Sequence, residues 1–272
     1  MITNELKVGV KIKDKVLKDF KLNTLKTAQL KEINNDDYKK DFPMRWLAKT
    51  ICILLDSIGG EPCNMLGRDF PETVKGLSLI DVSYVLIAGH VFNLGSDIKG
   101  LKINCTCQRQ KEIELDLDLQ NLLLEEDNEY PTPDVTFLVE LPNGVEINLP
   151  NMEDLGLKGK VWKFITFRLP TLGDMLKHEK DFSPSSKSVF GEKIMSSCMI
   201  SVEAEDGMAL PANMVKMFGE KIISEMTARD MQAMTREFNK YPTHRIFCET
   251  TCGWCDREIS TPVEPNFLFI AA

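Results

Sequence analysis

Long hydrophobic runs are missing from this 272-residue chain: none approaches the ~18–20 residues that cross a bilayer, which excludes a spanning helix. The opening Met1-Ile2-Thr3-Asn4-Glu5 has neither the basic start nor the apolar core of a signal peptide. The thiols are therefore expected in a reducing cytosol, where clustered cysteines indicate metal binding or catalysis more than disulfides. A basic surplus is missing as well. The net charge is −8, from 41 acidic and 33 basic residues, whereas nucleic-acid binders draw affinity from neutralising phosphates. The only basic stripe, Lys7 to Lys26, is interleaved with Val8, Val10, Ile12, Leu17, Phe20 and Leu22, as on the wet face of a sheet. Absent too are a phosphate-binding Gly-x-x-x-x-Gly-Lys-Ser/Thr loop, a dinucleotide Gly-x-Gly-x-x-Gly, a Gly-x-Ser-x-Gly elbow and any repeat of solenoid length.

What is present is an ordinary globular composition, 43% hydrophobic and 27% charged, long enough for one large domain or two smaller ones. Residues 6–33 read as short strands and turns, and Asn34-Asn35-Asp36-Asp37 as a polar break. A helix is expected over 43–58, with Pro43 in its first turn and Gly59-Gly60 ending it. Cys52 inside it is most simply a small buried hydrophobe. A second helix over 79–94 is apolar nearly all round and hence central, with His90 as a core residue.

From residue 101 the period changes to two, with Ile113, Leu115, Leu117 and Leu119 alternating with polar residues. A β-hairpin is expected over 135–149, because Asn143-Gly144 between alternating runs suits a turn with positive φ. A strand over 161–169 leads into a short helix capped at Pro170-Thr171 and running to 180. Residues 183–186 form a polar linker. Helices follow near 187–202, 211–226 and 228–240, the last opened by Thr227-Ala228-Arg229-Asp230, a short-acid capping box. The methionines concentrated here (Met208, Met214, Met217, Met226, Met231, Met234) read as core filler.

Five of the eight cysteines fall in two short turns, Cys105-Thr106-Cys107 and Cys248 to Cys255. In each, an apolar strand enters, closely spaced thiols sit on a turn and a strand leaves. Knuckles of this kind point sulfurs at one metal while backbone amides stabilise their charge, and two of them complete a tetrahedron. Gly253 is expected to supply a permissive backbone between Cys252 and Cys255. The candidate zinc ligands are Cys105, Cys107, Cys252 and Cys255, with Cys248 either replacing one of them or left uncoordinated. A redox Cys-x-x-Cys would open a helix, yet Cys255 leads into a strand-like stretch. A catalytic zinc would want histidine or glutamate ligands and a general base. His244 has no Glu-x-x-His or His-x-Glu context and reads as a turn residue.

These same residues carry a resemblance. Cys252-Gly253-Trp254-Cys255, followed by a short strand, a proline and Pro265-Asn266-Phe267-Leu268-Phe269, resembles the baseplate hub and tail-assembly, chaperone-like proteins of contractile-tailed bacteriophages of the T-even type. So does Cys105-Thr106-Cys107 followed by Glu112-Ile113-Glu114-Leu115-Asp116-Leu117. The likeness covers residues 79–119 and roughly the last thirty, as a pattern of cysteines and strand edges. It implies a non-enzymatic structural or assembly protein of a tail baseplate, in contact with other tail proteins. Its place would be the host cytoplasm during assembly or the virion tail. The Cys-x-Cys spacing departs from the Cys-x-x-Cys of that pattern and leaves the ligand set open. The competing reading, a zinc-ribbon nucleic-acid-binding regulator, has the negative charge against it.

The fold class expected is α+β: a helical body, a β-hairpin and a split zinc-ribbon-like element joining mid-chain to C-terminal strands. The expected division is an N-terminal strand or arm segment over 1–36 and a single body over 37–272, whose ribbon pairs 101–119 with 244–270.

Overall fold

The computed structural model describes residues 4–105, 112–119, 129–149, 152–182, 187–238, 240 and 246–263. The chain is a mixed α and β protein with several small sheets, and it folds as two compact units. The first comprises residues 1–130 and 243–272, the second 131–242.

The first unit opens with a four-stranded antiparallel sheet in the order β1 (Glu5–Ile12), β2 (Lys15–Leu22), β3 (Leu55–Ile58), β4 (Glu61–Pro62). Leu6, Val8, Val10 and Phe20 face the core while Lys11, Lys15 and Lys21 stay exposed, as the interleaved pattern requires. Helices α1 (Thr27–Ile33), α2 (Asp36–Asp41) and α3 (Pro43–Leu54) lie between β2 and β3, followed by α4 (Glu72–Lys75) and α5 (Leu79–Leu94). Three expectations change here. Residues 27–33 are helical, not strand or turn, and Asn35 does not break the chain but caps α2, its side chain accepting the Tyr38 N–H at 3.0 Å. The helix beginning at Pro43 ends at Leu54, four residues early, because Leu55 turns extended (ψ 129) and Leu55–Ile58 pairs with β2. Buried apolar residues suit a core helix and a core strand alike, so periodicity could not separate the two.

Asp81, in the first turn of α5, is a fully buried carboxylate. Ser78 caps the helix, accepting the Asp81 N–H at 3.1 Å. The Asp81 carboxylate in turn accepts the N–H groups of Val8 (3.0 Å) and Gly9 (2.9 Å) from a bulge in β1, and the Ser78 hydroxyl (3.2 Å). Gly9 has φ +94, and a Cβ there would lie 2.9 Å from Lys18 Cγ, so only glycine lets β1 turn its amides inward. Burial pushes the Asp81 pKa up, against the pull of these hydrogen bonds. His90 is buried in α5.

Two two-stranded ribbons complete this unit: β5 (Asp97–Asn104) with β6 (Glu112–Asp118), and β10 (Ile246–Thr251) with β11 (Glu258–Val263).

In the second unit β7 (Thr136–Glu146), β8 (Val161–Arg168) and β9 (Met199–Ala204) form an antiparallel sheet in that order. The hairpin expected over 135–149 is not there. Residues 136–146 are one strand, and its hairpin partner is β8, with a bulge between Glu140 and Val145. The helix α9 (Ala228–Phe238) decides this: the Asn143 N–H donates to Asp230 Oδ1 (2.9 Å) and the Asn143 amide to Thr227 Oγ1 (2.7 Å). Gly144, at φ +73, then continues the strand instead of reversing it. Phe137, Phe167 and Phe238 cluster with ring centroids 4.6–5.9 Å apart.

Further helices among the described residues are α6 (Leu172–Lys177), α7 (Lys187–Cys198) and α8 (Ala212–Ser224). Again a helix runs straight into a strand: the helix expected to reach 202 ends at Cys198, and β9 pairs with β8. The polar linker at 183–186 lies outside the described residues. Met214 and Met234 fill the core as expected, whereas Met217 and Met208 are exposed.

The capping arrangement of α5 recurs twice. Thr171-x-x-Asp174 opens α6, and Asp174 takes a bidentate pair of hydrogen bonds from Arg168, both 2.7 Å. Thr227-x-x-Asp230 opens α9, with Asp230 fully buried against the β7 bulge. Burial alone would raise both carboxyls. The Arg168 pair and Thr171 hold Asp174 below the usual carboxylate range, and Thr227 with the Asn143 and Gly144 amides do the same for Asp230.

Asp81→Ala leaves the Val8 and Gly9 amides buried without an acceptor, and is expected to cost about 3 kcal/mol in urea unfolding at constant m-value. A change under about 0.5 kcal/mol would show that the clamp contributes nothing. Because the folded pKa values of Asp174 and Asp230 are depressed, their contribution is complete above the unfolded value of ~3.9 and is lost as pH falls through the folded values. Asp81, raised, has the opposite sign: its shift favours the folded state at low pH and fades as pH rises. Hydrogen exchange under progressive acidification is therefore expected to open the second unit before the β1–α5 clamp.

Candidate metal centre

Three of the five clustered cysteines come together. Cys105 follows the last residue of β5, and Cys252 and Cys255 lie in the turn between β10 and β11. Their sulfurs all lie within 4.8 Å of one another, with Cys105 Sγ and Cys255 Sγ 3.8 Å apart. Cys105 and Cys252 are buried and Cys255 is exposed. Two ribbons thus meet through the thiols at one end of each.

The second turn is held by its backbone. The Cys252 N–H donates to the Arg257 carbonyl (3.0 Å), and the Asp256 and Cys255 N–H groups donate back to the Cys252 carbonyl (2.9 and 3.3 Å). The left-handed position is Asp256, at φ +53. Gly253, expected to supply that freedom, is not in the left-handed region. An Asx residue tolerates positive φ, which is the signal that could have identified Asp256.

The Trp254 N–H donates to the Cys252 sulfur, and together with Cys105 and Cys255 it holds the Cys252 thiol below its ordinary pKa, against the effect of burial. Such a group favours a thiolate, the form that binds a metal.

The other candidates fall elsewhere. Cys107 lies outside the described residues, as does His244. Cys248 stands within β10 opposite Thr261, and a strand rise of ~3.3 Å per residue carries it roughly 10 Å back from the strand's end at Thr251. Cys52, Cys63 and Cys198 are each buried and are not part of this cluster.

Fold and site together define a mixed α and β protein that gathers three thiols at the ends of two ribbons and whose buried Asp81, Asp174 and Asp230 cap helices. A family model described as T4 bacteriophage base plate protein matches residues 64–267, and the chain belongs to that family. The match takes in both cysteine turns and all of the second unit. Nothing matches among curated proteins or solved structures. Membership makes this a structural protein of the bacteriophage baseplate, which implies association with other tail proteins and a place in the virion tail. Proteins of such structural families are typically not enzymes. Among the described residues, no helix is long and apolar enough to cross a membrane.

Thiol labelling tests the three-plus-three division of these cysteines. Burial pushes Cys52 to about 12, Cys63 to about 11 and Cys198 to about 12, so their thiolate fractions at neutral pH are negligible. In metal-free protein a disulfide-exchange reagent is expected to modify Cys255 quickly, and those three only at the rate of unfolding. Peptide mass mapping over time reads this directly, and fast labelling of Cys198 in folded protein would contradict it.

Proposed function

We propose that this chain acts as a non-enzymatic structural or assembly protein of the tail baseplate or hub, and that a zinc ion held by Cys105, Cys107, Cys252 and Cys255 ties its mid-chain ribbon to its C-terminal ribbon. The family match over residues 64–267 is the observation that carries the role. Zinc rests on the geometry of the thiols. Four sulfurs around a zinc at ~2.3 Å lie about 3.8 Å apart along each edge of the tetrahedron, and Cys105 and Cys255 stand at 3.8 Å. An all-sulfur tetrahedral set suits zinc or iron, and zinc has no redox chemistry of its own, in keeping with a structural role.

Cys107 is the natural fourth ligand because it follows Cys105 by two residues, while Cys248 is set too far back along β10. The ion supplies cross-linking: it closes a loop of roughly 145 residues and makes the two ribbons one cooperative element. The residues around it donate amides to sulfur and fix the turn. The protein works through contacts with other tail proteins, assembled in the host cytoplasm and carried into the tail.

Metal analysis of purified protein is expected to give one zinc per chain, lost in Cys105→Ser, Cys107→Ser and Cys252→Ser and kept in Cys248→Ser. Chelation is expected to lower Tm. Iron in place of zinc, or zinc retained without Cys107, would overturn the assignment. Pairwise binding to purified tail proteins of the same phage tests the role itself, and a chain that binds none of them does not have it.

A further inference from the structure

Cys105 and Cys255 stand 3.8 Å apart, sulfur to sulfur, across 150 residues of chain. Both belong to the first unit, whose two segments flank the whole of the second in sequence. Resting on the thiol centre and the tail role read above, we propose that Cys105 and Cys255 are a redox pair. An oxidising medium closes them into a disulfide, which replaces the metal as the tie between the two ribbons.

Access and contact select this pair. Cys255 is exposed, so its sulfur is the one a soluble oxidant meets, while Cys105 and Cys252 are buried. Rotation of the exposed Cys255 side chain closes the 3.8 Å gap toward the ~2.05 Å of a sulfur–sulfur bond. Cys252 is held in place: its backbone makes three of the hydrogen bonds that close the turn, and its sulfur accepts the Trp254 N–H. A Cys252–Cys255 bond would take that sulfur out of its hydrogen bond. Cys52, Cys63 and Cys198 are buried and outside the cluster.

The oxidant is a peroxide of the surrounding medium. The Cys255 sulfur attacks one peroxide oxygen; the S–O bond forms, the O–O bond breaks and the first water leaves, giving a sulfenic acid. The Cys105 sulfur then attacks Cys255 Sγ, the S–S bond forms, the S–O bond breaks and the second water leaves. The two thiols lose two electrons and the peroxide gains them. In the metal-loaded chain both sulfurs are already deprotonated, so solvent supplies the two protons. The zinc leaves because thiolate, not disulfide, is its ligand. A tail protein meets both conditions in turn: the host cytosol keeps thiols reduced and available to a metal, and the medium outside the cell does not.

Zinc-loaded and metal-free full-length chain are each treated with hydrogen peroxide. Zinc release is read with a chromogenic chelator, and disulfides are mapped by mass spectrometry of non-reduced peptides. The expected result is a Cys105–Cys255 cross-link in both samples, with zinc lost in step with it in the first and the link reversed by dithiothreitol. The oxidised chain is expected to melt about 5 °C or more above the reduced metal-free chain. In Cys105→Ser the link is lost and Cys255 accumulates as sulfenic acid, trapped by a dimedone probe. A Cys252–Cys255 bond, a bond to Cys107, or direct passage of Cys255 to sulfinic acid overturns the pair, as does a zinc-loaded chain unchanged by peroxide. A chain that carries no zinc as purified removes the metal reading above, and the mapped bond then decides the redox pair by itself.

Discussion

Three helices of this protein begin the same way, and two of these beginnings hold a distant strand or bulge in place. Ser78-x-x-Asp81, Thr171-x-x-Asp174 and Thr227-x-x-Asp230 each put a hydroxyl at the cap and a short carboxylate three residues on, buried in the first turn. A buried carboxylate is costly unless its oxygens are filled. The filling comes from elsewhere in the chain: the β1 amides 72 and 73 residues away, Arg168 beside its own strand, and the Asn143 amide 87 residues away. Local capping thereby becomes tertiary structure. The bulges in β1 and β7 exist to turn amides toward these groups, and with them the sheets take their register against the helices.

The cysteine centre applies the same logic to the ends of the first unit. Two-stranded ribbons are marginal by themselves in water, and β5–β6 and β10–β11 are both two-stranded. Three thiols within 4.8 Å of one another bring their ends together, and among the described residues neither ribbon has a third strand.

Much of this was readable beforehand where one local rule acted alone. The apolar α5, the capped α6 and α9, the strand at 161–168 and the strand–turn–strand form of the second cysteine cluster all follow from periodicity, caps and turn residues. Reading failed where two rules competed. Asn143-Gly144 is a hairpin turn on local grounds, but Thr227 and Asp230 claim its amides and make it a bulge. At Leu54–Leu55 and Cys198–Met199 an apolar run changes from helix to strand with no loop, a change driven by the neighbouring strands β2 and β8. Asp81 was missed although Ser78-x-x-Asp81 stands in plain view, because nothing local shows that its acceptors face β1.

What the sequence by itself determined is which residues are suited to a metal and to which class of protein they belong. Thiols on two tight turns are chemically unlike the rest of the chain, and spacing alone makes them candidates. What only the tertiary structure decided is their company: Cys105 beside Cys255 across 150 residues, Cys248 left along its strand, and Asp256 in place of Gly253 as the left-handed residue. The physical reason is common to all three. Distances between segments far apart in sequence are set by which buried polar groups must find partners, and that accounting closes only when the whole chain is folded.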